Sequence, residues 1–274
     1  MNRIEKRFNE LKANNEKALI LFITAGDPSL EETLNIMEAM AQNGVDCIEL
    51  GIPFSDPIAD GPVIQRSTAR ALRNRVQLKD ILNLVTVFRQ NYATPVVAMG
   101  YLNPVIRFGE ERFIREFSRA GGDGLIIADL PYEEGEEYEI LCKNHNTSLI
   151  YLLAPEIGTA RTKNILGASS GFVYCVSHYG ITGTGAALSA NLKHISRSLG
   201  QLTSLPLAIG FGISSDKTAR EMSRYFNGII IGSWLIEELE RSTNKPETAA
   251  QFARRLKRAI SAEQPLKTRE TEIR

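Results

Sequence analysis

Cysteine, histidine and tryptophan are all scarce, at three, three and one among 274 residues. Cys47, Cys142 and Cys175 are far apart, odd in number and set among apolar neighbours. The sequence therefore predicts buried free thiols in a reducing compartment rather than a disulfide framework. His145, His178 and His194 show no ligand spacing, so no metal is expected. Net charge is lacking too: 32 Lys+Arg balance 32 Asp+Glu. Without a basic run there is little to attract a phosphate backbone, and nucleic acid is not an expected partner. No apolar run approaches the roughly 18 residues of a membrane span, and the N-terminal segment has no apolar centre of the kind a signal peptide needs. A cytoplasmic chain is the expectation, with no membrane partner.

What the chain does have is alternation. Eight apolar, partly β-branched runs lie at 18–25, 47–52, 95–101, 125–130, 148–154, 172–177, 205–211 and 228–231, most of them closed by Gly, Pro or Asp. Such runs read as strands buried on both faces, as parallel strands are. Between them, apolar positions recur every three or four residues, as in Leu34-Met37-Ala41, Ile81-Leu82-Val85 and Phe113-Phe117, which is the helical period. A doubly wound open sheet shares this local pattern, but two details favour a TIM (β/α)8 barrel. The units number eight, and the last strand runs through Gly232-Ser233 into a short extra helix, 234–241, a recurrent phosphate-holding device of barrels. Ile4-Phe8-Leu11 marks an N-terminal helix able to cover the barrel floor. One TIM-barrel domain over 1–274 is expected, with a flexible tail from about 263 onward.

In a barrel, chemistry sits at the C-terminal ends of the strands. Glu49 stands out because it interrupts an apolar strand, where alternation puts it either inside the barrel or against the helices. A buried carboxylate is costly, and it is explained by a structural ion pair or by acid–base work. The loop that follows, 53–62, carries three prolines with Asp56 and Asp60. Either acid suits turn capping or catalysis. Glycines cluster after strands six, seven and eight, at Gly183 and Gly185, Gly210 and Gly212, and Gly232-Ser233. Backbone amides approach a phosphate where side chains are absent, and these three neighbouring strand ends together point to a phosphate site. Phe22, Met99, Tyr101, Ile126, Leu152, Tyr174 and Phe211 stand near strand ends. They are core or the wall of a flat apolar pocket, with Phe22, Tyr174 and Phe211 the strongest pocket candidates. No lysine lies in a strand run, which disfavours a Schiff base, and the dinucleotide glycine pattern is not reproduced after the first strand.

The segments Phe22-Ile23-Thr24-Ala25-Gly26-Asp27-Pro28, Ile48-Glu49-Leu50-Gly51-Ile52-Pro53-Phe54-Ser55-Asp56-Pro57, Ala59-Asp60-Gly61-Pro62, Ala128-Asp129-Leu130-Pro131 and Gly210-Phe211-Gly212-Ile213-Ser214 closely resemble the tryptophan synthase alpha subunit family. The likeness runs from about residue 8 to about residue 260. It implies a lyase of tryptophan biosynthesis that cleaves indole-3-glycerol phosphate to indole and glyceraldehyde 3-phosphate by a cofactor-free retro-aldol reaction. By resemblance, Glu49 moves the proton at indole C3 and Asp60 accepts from the indole N–H. The indole pocket maps onto Phe22, Met99, Tyr101, Ile126, Leu152, Tyr174 and Phe211, with Thr182 near Asp60. Phosphate contacts map onto Gly183, Gly212, Gly232 and Ser233. The likeness also implies loops at about 53–60 and 178–191 that close over substrate. It further implies a beta-subunit partner in an α2β2 heterotetramer, pyridoxal phosphate in that partner rather than in this chain, and contacts through the Asp56 loop, Asn103-Pro104 and Asp129-Leu130-Pro131. His178 replaces an arginine common among relatives, and Tyr179 adds bulk beside it. The competing functions are another phosphosugar barrel enzyme, such as an isomerase, and a catalytically weak alpha-like protein that mainly activates a beta subunit.

Overall fold

Period-two alternation within each short strand sorts its side chains between two separate apolar layers. In the computed structural model, which describes residues 1–154, 158–176, 186–210 and 212–261 with the side chains of 186–189 excepted, strands and helices alternate from end to end. The first half runs α1 (Arg3–Ala13), β1 (Ala18–Thr24), α2 (Leu30–Gln42), β2 (Cys47–Gly51), α3 (Pro62–Arg73), α4 (Leu78–Arg89), β3 (Val96–Gly100), α5 (Leu102–Phe108), α6 (Glu110–Ala120) and β4 (Gly124–Ile127). The second half runs α7 (Glu136–Asn144), β5 (Ser148–Leu149), β6 (Leu152–Leu153), α8 (Thr159–Ala168), β7 (Val173–Val176), α9 (Ala186–Gly200), β8 (Leu207–Gly210), α10 (Asp216–Ser223), β9 (Gly228–Ile231), α11 (Ser233–Arg241) and α12 (Lys245–Ser261).

All pairings are parallel, in the order β5-β4-β3-β2-β1-β9-β8-β7-β6. The two outermost strands of that order, β5 and β6, are successive pieces of one extended segment, 148–153. β5 bonds to β4 and β6 to β7, so the sheet closes on itself through this segment and forms a TIM barrel. The fifth run of the sequence is thus one wall position divided into two ladder fragments. The loop expected at 178–191 is shorter at its far end, because α9 already begins at Ala186; Ala186-Ala187-Leu188 are good helix formers directly after a glycine.

The outer layer, between strands and helices, holds Leu19, Leu21, Ile23, Ile48, Leu50, Val96, Ala98, Leu125, Ile127, Ile209 and Ile229. The inner layer holds the alternate residues Ala18, Ile20, Cys47, Val97, Ile126, Ile150, Tyr174, Ala208 and Ile230. Joining that inner layer are Ile4, Phe8 and Leu11 of α1, whose three-to-four spacing turns one helix face onto the barrel floor. Asn2 opens α1 with a capping box, accepting from the Glu5 N–H and receiving the Glu5 carboxylate at its own N–H, a device worth about 1 kcal/mol. The floor is therefore sealed, leaving the C-terminal ends of the strands as the entrance. All three cysteines are buried free thiols. Among the described residues no helix is long and apolar enough to cross a membrane.

Candidate active site

The alternation that sorts the barrel also settles where Glu49 points. Its neighbours Ile48 and Leu50 lie in the outer layer and Cys47 in the inner one, so Glu49 faces the barrel interior. There it lines a cavity of about 750 Å³ at the mouth. Its side chain is fully buried, and among the described residues neither carboxylate oxygen has a hydrogen-bond partner. No described residue supplies the ion pair that would explain it structurally. Burial pushes its carboxyl up to about 8, because desolvation disfavours the charged form. Glu49 is therefore held as a neutral acid at neutral pH.

Asp60 lines the same cavity from the loop after β2, just ahead of the Pro62 that starts α3. Partial burial raises its carboxyl above the ordinary range, and a hydrogen bond from the Tyr101 hydroxyl works against that shift. Asp56 is exposed and bonded to the Ser55 hydroxyl at 2.5 Å. Of the two acids in the loop, only Asp60 lines the cavity.

Phe22, Met99, Tyr101, Leu152 and Tyr174 all line the cavity. Gly51 makes room for the first of these: a Cβ there would stand 2.5 Å from the Phe22 ring. Gly210 does the same for Tyr174, whose hydroxyl would lie 2.5 Å from an added Cβ. Burial and the nearby Glu49 carboxylate raise the Tyr174 phenol well above its ordinary value. Ile126 is not brought to the cavity. It is fully buried in the inner layer, beside Met99 in register, and Met99 rather than Ile126 lines the cavity. Periodicity gives the face of a strand but not the depth along the barrel axis.

At the other side of the mouth, Gly212, Gly232 and Ser233 line the cavity together with Ile213 and Ser214. Gly212 has φ +69° and open space where a side chain would stand. Gly232 precedes the nine-residue α11 with no side-chain cap on its first turn, leaving helix amides and the positive end of the helix dipole available to an anion. Thr182, Gly183 and Phe211, and with them His178 and Tyr179, lie outside the described residues.

Several wall residues carried no signal of their own in the sequence. Ile64 and Thr68 reach the cavity from α3, and Trp234, Glu237, Glu238 and Arg241 from α11. Their spacing, i to i+4 on α3 and i, i+3, i+4, i+7 on α11, marks one helix face each, but the charged members read as a solvated surface.

A family model described as tryptophan synthase alpha chain matches residues 8–264. The chain belongs to the tryptophan synthase alpha chain family. The tryptophan synthase alpha chain of Caldanaerobacter subterraneus subsp. tengcongensis is 43% identical over 247 residues, covering 90% of this chain and 94% of that one. That of Nitrosomonas europaea is 42% identical over 268 residues, covering 96% of each. Among solved structures, tryptophan synthase subunit alpha from Legionella pneumophila str. Paris superposes with a TM-score of 0.88 at 36% identity, covering 95% of this chain and 98% of that one. Membership of the alpha chain family gives a common setting to the inward glutamate, the aspartate loop and the glycine-lined side of the mouth.

Proposed function

We propose that this chain carries out the alpha reaction of tryptophan synthase, the retro-aldol cleavage of indole-3-glycerol phosphate to indole and glyceraldehyde 3-phosphate. The observation that carries the reading is Glu49, a fully buried acid with no hydrogen-bond partner among the described residues, on the wall of a mouth cavity that it shares with Asp60. Protonation of indole C3 turns the ring into an electron sink, so the carbon–carbon bond breaks without an imine or a metal. A carboxyl that stays neutral up to about pH 8 is suited to give that proton. Once C3 is protonated the ring N–H becomes acidic and positive, and the Asp60 carboxylate accepts from it. Glu49, then ionised, takes the proton from the glycerol hydroxyl as the bond breaks, and is restored for the next turnover.

Phe22, Met99, Tyr101, Leu152 and Tyr174 hold the indole, with Ile126 packed among the inner-layer residues that support it. Gly212, Gly232 and Ser233 bind the phosphate, in a setting of backbone amides that also includes Gly183; Thr182 and Phe211 complete the pocket. Family membership brings a beta-subunit partner to which indole is passed. We place the pair in an α2β2 heterotetramer in the cytoplasm, with pyridoxal phosphate held by the beta subunit. Exposed Ile58 in the Asp60 loop and exposed Ile106 on α5 supply apolar surface at the rim for that contact. The Asp129 carboxylate, accepting from the Leu102 N–H at 2.8 Å, ties the two adjacent rim segments together.

The test is to supply indole-3-glycerol phosphate to the purified chain and follow indole. Release of indole, lost in Glu49→Gln and Asp60→Asn while both variants still activate a beta subunit, supports the reading. Turnover of a different phosphosugar and none of this one overturns it.

A further inference from the structure

The first turn of α3 reaches back to the loop that carries Asp60. The Gln65 side-chain amide donates to the Asp60 carbonyl at 2.8 Å, and the Asp60 N–H donates to the Pro57 carbonyl at 3.0 Å. The peptide groups on both sides of the Asp60 Cα are therefore held. An ordinary helix cap cannot do this here, because Gly61 before the helix has no side chain and Pro62 at its first position has no N–H. One residue further back, the Ala59 N–H donates to the Tyr101 hydroxyl at 3.1 Å. Gln65 pulls from a firm base. Its own N–H donates to the Gly61 carbonyl at 3.0 Å. Two residues on, the buried Ser67 hydroxyl donates to the Ile64 carbonyl at 2.8 Å and meets the Thr24 hydroxyl at 2.6 Å, which fastens α3 to the end of β1.

We infer that Gln65 is the positioning residue for Asp60: its amide fixes the Asp60–Gly61 peptide, and with it the direction in which the Asp60 side chain leaves the backbone. The inference rests on the cleavage reading above, in which Asp60 receives the indole N–H. Asp60, Gly61, Ile64 and Thr68 line the cavity, whereas Gln65 is exposed and does not. Gln65 therefore acts through Asp60 rather than on substrate. With both peptide groups held, only the two side-chain torsions of Asp60 remain to be set when substrate arrives. An acceptor on a loop loses conformational entropy each time it is aimed, and a tether made beforehand removes much of that cost from the reaction step. The carboxylate is needed most when positive charge develops on the indole, so the effect falls on kcat more than on KM.

The experiment is steady-state cleavage of indole-3-glycerol phosphate by the full-length chain, comparing wild type, Gln65→Met and Gln65→Lys, with glycerol 3-phosphate as an inhibitor that tests the phosphate end alone. Methionine keeps the length and helix propensity of glutamine and removes the donor; lysine restores a donor at similar reach. Loss of one neutral hydrogen bond predicts a kcat lower by about fivefold in Gln65→Met, with KM and the glycerol 3-phosphate inhibition constant within about twofold of wild type. Gln65→Lys should bring kcat back to within about twofold of wild type. A kcat unchanged in Gln65→Met overturns the inference. So does a kcat loss accompanied by equal losses in KM and in glycerol 3-phosphate inhibition, which is the mark of a general loosening of the mouth, and so does a Gln65→Lys protein no faster than Gln65→Met. Failure of wild-type protein to release indole is a different result, which removes the cleavage reading and this inference with it.

Discussion

The barrel holds buried carboxylates at both ends, and they are treated in opposite ways. At the foot, Asp46 and Asp123, 2% and 1% exposed, sit just before β2 and β4 with every oxygen engaged. Asp46 accepts from Arg7, from Lys257 at 2.7 Å and from the Leu19 N–H at 2.7 Å. Asp123 accepts from Arg3 and Arg89 and from the Val96 N–H. These pairs fasten α1, α4 and α12 to strand starts. At the mouth, Glu49 is just as buried and has no partner among the described residues. A charge at the foot is compensated and stays put; a charge at the mouth would be uncompensated, and so the group there holds its proton. The same residue class thus serves as a fastening or as an acid according to what surrounds it.

The strongest way to break this contrast is Glu49→Gln, which keeps shape and burial and removes the proton. Cleavage should fall by about 10³-fold or more; a loss of under tenfold in purified variant would put the acid elsewhere. Next comes Asp123→Ala, which takes the carboxylate from Arg3 and Arg89 and leaves the buried Val96 N–H without its acceptor. A loss of about 3 kcal/mol in urea unfolding is expected, with the folded fraction still cleaving substrate. Loss of activity without loss of stability would erase the division between foot and mouth.

A subtler difference lies in pH. Glu49 binds its proton up to about pH 8 when folded, against an ordinary value of 4.5. Between those values the native state holds more protons than the unfolded one, so wild-type stability falls as pH rises through that window. The Glu49→Gln variant lacks this slope. Its stability advantage over wild type should grow between pH 5 and pH 8 by about 3 to 4 kcal/mol, read from chemical denaturation at several pH values; parallel curves would mean that Glu49 finds a partner in solution. The smallest expected effect sharpens the boundary between the two halves. Ile126→Val should cost about 1 kcal/mol and leave KM within about twofold, as befits a residue supporting the cavity wall; a large KM change would place Ile126 in direct contact with substrate.

Much of this arrangement is legible in the sequence because the signals are local. Short β-branched runs and three-to-four spacing give the strands and helices, and an acid inside Cys47-Ile48-Glu49-Leu50 is conspicuous at once. Depth is not local: Met99 and Ile126 look alike in the sequence, yet one lines the cavity and the other packs inside the barrel. Nor is the use of a helix face by a neighbour, so nothing in the sequence marks Glu237, Glu238 and Arg241 of α11 as lining the mouth. In the sequence Tyr101 reads as a ring, and only the fold brings its hydroxyl to the Ala59 N–H.

The ring of strands is fastened along most of its circumference by ladders of three to five register pairs, yet it is completed by two-pair contacts on either side of 148–153. That segment acts as the clasp of a bracelet. Its amides should exchange with solvent before those of β1 and β2, and because Leu152 belongs to both the clasp and the cavity wall, any loosening there would be felt first in the shape of the mouth cavity.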